Sequence, residues 1–551
     1  MLISTFINLL ILLAITGYSY LFKKIIFKEK IIIENIDLLY GIFFLSLIAI
    51  LGNFIIATKY ISLLIFISGI IISIFQFIKK RIKINLLIHI FILFILTFIS
   101  YRNGNNVDSP MYHMQIIKWI QNEKVVFGLA NLEIRYGINS MWFNFLALFS
   151  FKYGSFNTNY IINFIPFSIL LSEIFLSKKR FVSFSYLLIF SIASFLIFYS
   201  YLHPYMNGII LNHLRNPELD TVAMIFFFLT FYLFLIFLEK KDINSLRLIA
   251  LSSSMTIFTK ISYMGVILFF LVSIYIFYRK DIKKIFSDYL NLSIIFTGTL
   301  WLVKNFITSG CLIFPLSKTC FNTSWSSNPE EINIYAKIVK SYARDTRERA
   351  RYHDFDHTID SFSWFKPWFH DYFLNNSLLL ICMFIIIIST LLIVINQLFL
   401  KKNKNLEKNK NIYSLIFFIL IINLLLWFQA PEIRFGWGTL ISIPCFLFIV
   451  FYYHSLFSKI LDKRGLKIIF LTLICFLVFD NKKGFQFSNL IVQNQKTFNY
   501  SKIKKFAKFN QIDFFYTQNW QCFDFKEVCV NTRKKKYNPK KLNGYLFFLT
   551  K

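Results

Sequence analysis

Charge is what this sequence has least of. Asp, Glu, Lys and Arg make up 16% of its 551 residues, against about 25% in a typical soluble domain. So few charges exclude a disordered chain, a coiled coil and an ordinary soluble enzyme. Acids are scarcer than bases, 28 against 60. No Walker loop occurs, and the basic gaps between apolar runs are too short for a nucleotide domain. Both facts argue against an ATP-driven pump. No series of acids lies inside the apolar runs, so a proton relay has no material. Glu173, one turn from Lys178–Arg180, reads as an interfacial partner of those cations. The N-terminus has neither a basic n-region nor an A-x-A site, so it does not read as a cleavable signal peptide.

What the chain has is apolar length: 56% hydrophobic residues, including 70 Phe. A membrane-crossing helix needs about 20 mostly apolar residues, and such runs recur from Ile3 to Phe479. The pattern predicts an all-α polytopic membrane protein with about 14 transmembrane helices and a small α/β C-terminal external domain. The expected spans are 3–22, 38–57, 61–78, 84–100, 158–176, 181–199, 221–238, 246–259, 262–278, 287–303, 377–399, 412–428, 437–456 and 467–479. Residues 1–83 read as extra N-terminal helices, 84–479 as the core and 480–551 as the external domain.

The net charge of +32 suggests nucleic acid at first sight, but no folded basic domain precedes the membrane part. Topology explains it better. Alternate short gaps carry 26 basic residues and those of opposite parity only four, Lys59, Arg215, Lys260 and Arg434. Basic short loops stay in the cytoplasm, which places both termini outside, with the large segments 101–157, 304–376 and 480–551. In the first of these, 138–151 has helical apolar spacing and is expected to lie on the outer membrane surface. Cys382, Cys445 and Cys475 sit inside spans, whereas Cys311, Cys320, Cys522 and Cys529 fall outside. In an oxidising compartment Cys311–Cys320 and Cys522–Cys529 are plausible pairs.

Polar residues gather at the outer ends of the spans. The richest stretch runs from Tyr101 through Asp108-Ser-Pro-Met-Tyr112-His113. Asp108 reads as an N-cap of a helix over 110–122 and, compatibly, as a carboxylate facing a cavity at the membrane surface. Asp220 opens the seventh span and has the same two readings. Lys260, Lys304 and Arg434 oppose the charge trend of their side. They suit a phosphate held at the bilayer edge, Arg434 with bidentate geometry. His353-Asp354-Phe-Asp356-His357 has metal-like i, i+4 spacing, with Asp360, His370 and Asp371 following. Most such clusters are solvated loop residues, so no metal ligand is assigned, although room is left for a divalent cation.

The stretch Asp108-Ser-Pro-Met-Tyr112-His113-Met-Gln115, with Trp119, Glu123, Gly128-Leu-Ala-Asn131-Leu and Arg135-Tyr-Gly137-Ile-Asn139-Ser140, resembles an uncharacterised family of bacterial polytopic membrane proteins. That family's pattern is D-S-x-x-Y-H-x-Q, P-G-L-A-N-L-H and R-x-G-x-N-S. Here Phe127 stands for its Pro and Glu133 for its His. Lys304-Asn305 to Pro315 and Pro431-Glu432-Ile433-Arg434-Phe435 are similar to two later marks. More distantly, the layout resembles the GT-C glycosyltransferases, which carry a catalytic carboxylate in the first large external loop and use polyprenyl-phosphate sugars. The resemblance implies a bacterial inner-membrane enzyme. Its partners would be a lipid-linked sugar donor, membrane lipids and a glycan or glycoconjugate acceptor, with no nucleic acid. Asp108 would be the base, Arg434, Lys304 and Lys260 the phosphate contacts, and Tyr112, His113 and Asp220 the acceptor side. The rival expectation is a non-catalytic flippase-like transporter or polysaccharide-assembly component.

Overall fold

The computed structural model describes residues 2–27, 31–99, 108–153, 156–176, 214–344, 359, 361–373, 404–454, 503–509, 512–517, 521–522, 525, 528–530 and 538–550. It is mostly helical. The larger helices are α1 (Leu2–Phe27), α2 (Leu38–Ile55), α3 (Lys59–Ile78), α4 (Leu86–Ile99), α5 (Met114–Asn122), α6 (Met141–Leu148), α7 (Phe164–Leu176), α8 (Leu219–Lys240), α9 (Ile243–Thr259), α10 (Ile267–Phe277), α11 (Tyr289–Ser309), α12 (Pro329–Arg344), α13 (Lys404–Phe428) and α14 (Ile433–His454). Among the described residues, six helices are long and apolar enough to cross a membrane, or seven counting one bent pair. This supports a membrane protein. The expected spans 181–199, 377–399 and 467–479 lie outside the described residues, as does His353–His357.

The centre of the bundle is α8. Its sequence is apolar on every face, which in a membrane permits either a lipid or a protein environment. Here 89% of its most apolar window is buried, so it is enclosed by protein. Asp220 in the first turn and Lys240 in the last complement its dipole. Helix α9 packs along it through small polar residues. Thr230 Oγ1 donates to Ser252 Oγ at 3.0 Å, and Asp242 caps α9 by accepting from the Ser245 N–H at 2.8 Å. Small residues let membrane helices approach closely, and such hydroxyls bind them together. Helices α3 and α11 are the opposite case. They expose Leu63, Leu64, Ile67, Ile71 and Leu292, Ile295, Phe296, an apolar face suited to lipid.

The surface helix expected over 138–151 is instead the short α6, and all eight of its residues are buried. Met141-Trp-Phe-Asn-Phe-Leu-Ala-Leu148 is apolar all round except for Asn144, whose amide is bonded to Ser140 O and Lys304, so no face needs water. It packs against α2 and α5.

The C-terminal region is built of strands. After a short hairpin β1 (Lys152–Tyr153) and β2 (Phe156–Asn157) come β3 (Ile503–Phe509), β4 (Ile512–Thr517), β5 (Val528–Val530), β6 (Asn538–Leu542) and β7 (Tyr545–Leu549). Strands β3-β4-β5 form one sheet and β6-β7 another. Leu542 pairs with Tyr545, leaving Asn543-Gly544 as a two-residue turn with both φ positive, 49° and 77°. Asn-Gly is the favoured sequence for such a turn. Strand β7 docks on the loop that carries the Gly-Leu-Ala-Asn-Leu motif. The Phe127 N–H donates to Leu546 O and the Phe548 N–H to Phe127 O, both at 2.9 Å. Asn131 Nδ2 donates to Trp325 O and Phe548 O at 2.8 Å each. Thr550 N–H reaches Ser324 O at 3.1 Å. The three large segments expected on one side therefore meet at one end of the bundle.

Both expected cysteine pairs are disulfides, Cys311–Cys320 and Cys522–Cys529. Alkylation of denatured, unreduced protein should leave all four of these sulfurs unlabelled. Intact mass would show it, and a label on Cys522 or Cys529 before reduction would contradict the bridge.

Candidate functional site

Asp108 stands at the N-cap position but does not act as a side-chain cap. Its own backbone is already helical and its side chain makes no capping bond. The next five residues, Ser109–His113, form a widened π-helical turn before α5, a distortion that often accompanies functional sites. The Asp108 carboxylate instead pairs with the guanidinium of Arg434 at the start of α14. The loop before Arg434 is pinned by two indoles. Trp427 Nε1 donates to Glu432 O at 2.7 Å and Trp368 Nε1 to Pro431 O at 3.3 Å. Glu432 Oε1 lies 3.9 Å from Arg434 Nε.

A second pair lies beside the first. Lys260, the turn residue between α9 and the next helix, binds Asp220 in the first turn of α8. Its ammonium also sits 3.9 Å from the centroid of the Phe435 ring, and the Arg434 guanidinium lies 5.4 Å from the same centroid. The Asp108 and Arg434 side chains are each 20% exposed, so this pair is reachable from solvent. Sequence reasoning placed Asp108, Asp220, Lys260 and Arg434 in one site, and the structure brings them together.

Behind the pairs lies a buried layer. His113 Nδ1 is 3.6 Å from Glu218 Oε1, and Ser109 Oγ donates to the same oxygen at 3.5 Å. Asn163 fixes this corner, with Nδ2 donating to Asn216 O at 2.6 Å and Glu218 O at 3.1 Å. Its Oδ1 accepts from Trp142 Nε1 of α6 at 2.7 Å. The Tyr112 ring packs 4.2 Å from that of His113 and 5.4 Å from the Arg135 guanidinium. Burial, with Asp108's negative charge added, holds the Tyr112 hydroxyl above its ordinary pKa. Burial lowers the His113 pKa, opposed by Glu218. A His with a depressed folded pKa resists protonation until unfolding, so its contribution to stability is lost as pH falls below about 6.5. The acid-side decline in thermal stability should be shallower for His113→Gln. An unchanged slope would mean that His113 charges freely.

Lys304 does not join the site. It is 3% exposed and donates to Asn53 Oδ1 of α2 at 2.8 Å and to Asn144 Oδ1 of α6, tying α11 to both. Sequence reasoning grouped it with Arg434, but its partners are amides that only the fold supplies. Sequence reasoning missed Glu218 and Tyr335 as site members. Glu218 stood two positions from Asp220 and could have been weighed with it. Tyr335 of α12 feels the charges of Arg135, Asp108 and Arg434, and no motif marked it. Among the described residues no group of three His, Cys, Asp or Glu could hold a metal ion. Arg434 supplies the positive charge at Asp108.

These features define a polytopic membrane protein with a charged, partly open cluster at the ends of its helices. The chain belongs to the family described as "Domain of unknown function (DUF8201)", which it matches over residues 1–441. That range contains Asp108, Asp220, Lys260 and Arg434, whereas β3–β7 follow it. No curated protein and no solved structure matches the chain, so the likeness to glycosyltransferases gains no support from these comparisons.

Proposed function

We propose that this protein is a multi-pass glycosyltransferase of the bacterial inner membrane. It would take sugar from a polyprenyl-phosphate donor on the external face, for surface polysaccharide or glycoconjugate assembly. The observation that carries the reading is the Asp108–Arg434 pair beside Asp220–Lys260, which sets a carboxylate and two cations at one partly open place. In this reading the chain has about fourteen spans, extra N-terminal helices over 1–83, a GT-C-like core and both termini outside.

The chemistry uses each charge. The donor phosphate competes with Asp108 for Arg434, whose planar fork suits a phosphate. Its arrival frees the carboxylate. Asp108 then takes the proton of an acceptor hydroxyl as its oxygen bonds to the anomeric carbon. The bond from that carbon to the phosphate oxygen breaks, and the electron pair leaves with the lipid phosphate, stabilised by Arg434 and Lys260. Donor binding thus precedes and activates the base.

A second reading is a flippase-like or assembly component without bond-making. It is favoured by the fact that Arg434 and Lys260 are each already matched by a carboxylate. Purified protein in nanodiscs, given a radiolabelled polyprenyl-phosphate sugar pool and an envelope glycan extract, separates the two. Label moving to the glycan supports transfer. Binding of labelled lipid with no product would support the second reading.

A further inference from the structure

We propose that the pocket between Lys304 and Trp119, at the C-terminal end of α11, is a binding site for a small anion, separate from the Asp108–Arg434 cluster. An ammonium has three N–H donors and a full charge. Those of Lys304 reach two neutral amide oxygens, on Asn53 and Asn144. Among the described residues no carboxylate pairs with it. Amide dipoles orient a cation without neutralising it, and an uncompensated buried charge costs several kcal/mol. Trp119 lines the same pocket and is 7% exposed, yet its Nε1–H has no acceptor. Buried indole N–H groups normally find one. Two residues with unlike donors, one charged and one neutral, therefore line a single cavity that offers no acceptor bearing negative charge.

The rest of the lining agrees. Lys124 also lines the pocket, with its ammonium 4.9 Å from the Tyr545 ring centroid, while Ile116, Ile120, Val125 and Leu129 keep the surroundings apolar, which strengthens any charge attraction inside. No carboxylate lines the pocket, so a metal cation has no ligands there. The cavity measures about 20 Å³, room for about one water-sized occupant. That fits a halide or a single anionic oxygen, whether of free phosphate or of a lipid headgroup. The inference does not depend on sugar transfer and survives if that reading fails.

The test is the thermal stability of the full chain in nanodiscs at constant ionic strength. One arm uses phosphatidylcholine alone and titrates sodium chloride or inorganic phosphate against sodium gluconate, whose carboxylate spreads one charge over two oxygens on a bulky hydrated chain. The other arm holds gluconate fixed and adds phosphatidylglycerol. A saturable rise in Tm of about 2 °C or more in the first arm identifies a free anion. A rise in the second arm alone identifies a headgroup. Either must vanish in Lys304→Met and in Trp119→Phe, which keeps the ring and removes the N–H, and must persist in Lys59→Met. Trp119→Phe decides the matter if Lys304→Met does not fold. No rise in either arm, or an equal rise in Trp119→Phe, overturns the proposal.

Discussion

Asp108→Asn is expected to slow sugar transfer by about 10²- to 10⁴-fold, the usual contribution of a general base, and to leave capture of the lipid donor nearly unchanged. The amide keeps the shape of the carboxylate and loses its charge and its proton affinity. In the resting protein Asp108 neutralises Arg434, so its removal leaves the guanidinium more available to a phosphate. Donor affinity should hold or rise slightly. Arg434→Ala should act oppositely, weakening donor binding and transfer together, because a truncated partner in a desolvated charge pair typically costs about 2–5 kcal/mol. Lys260→Met should fall between them, since Lys260 must release Asp220 before it can meet a phosphate. The measurements are donor binding by equilibrium dialysis and single-turnover transfer on the same preparations. Full turnover in Asp108→Asn would remove its role as base. Loss of donor binding in Arg434→Ala alone, with no transfer by any variant or by wild type, would point to the transporter-like reading.

The sequence was most legible where a residue's chemistry carries further than its neighbourhood. Asp108, Asp220, Lys260 and Arg434 were suspect because charge is rare in this chain, and charges stranded among apolar runs must find each other. Strands β4 and β7 and both disulfides were likewise expected. They rest on local β-propensity and on which cysteines fall outside the spans. Lys304 and α6 went the other way because the answer lay in the packing. An isolated cation near a span end looks the same in sequence whether it stands beside Asp108 or on two amides of other helices. A short apolar helix looks the same whether it lies on lipid or is enclosed by α2 and α5. Gln115 shows a third case, a motif residue explained by docking. Its Nε2 donates to Cys522 O and Phe525 O, each at 3.4 Å, more than four hundred positions away, a partner that no local pattern reveals.

The same docking makes Gly128→Ala a strongly damaging small substitution outside the charged cluster. Gly128 has φ +66°, a left-handed conformation that costs an L-residue about 1–2 kcal/mol. A Cβ there would also lie 2.5 Å from Trp325 O and 2.6 Å from Phe548 O. Both are backbone atoms held by Asn131, so neither can swing aside as a side chain would. The methyl must push β7 or the 325 loop away, losing the Phe127 hydrogen bonds to β7 at about 0.5–1.5 kcal/mol each. The expected loss is on the order of 3 kcal/mol, read as earlier thermal unfolding and faster proteolysis of the C-terminal strands. Gly544→Ala separates the two causes. Gly544 also has positive φ, +77°, but a Cβ there would meet only the flexible end of Lys124 at 3.4 Å. It should cost about 1–2 kcal/mol, the backbone penalty alone. Equal losses in the two variants would mean that the strands are not held firmly against the Gly128 loop.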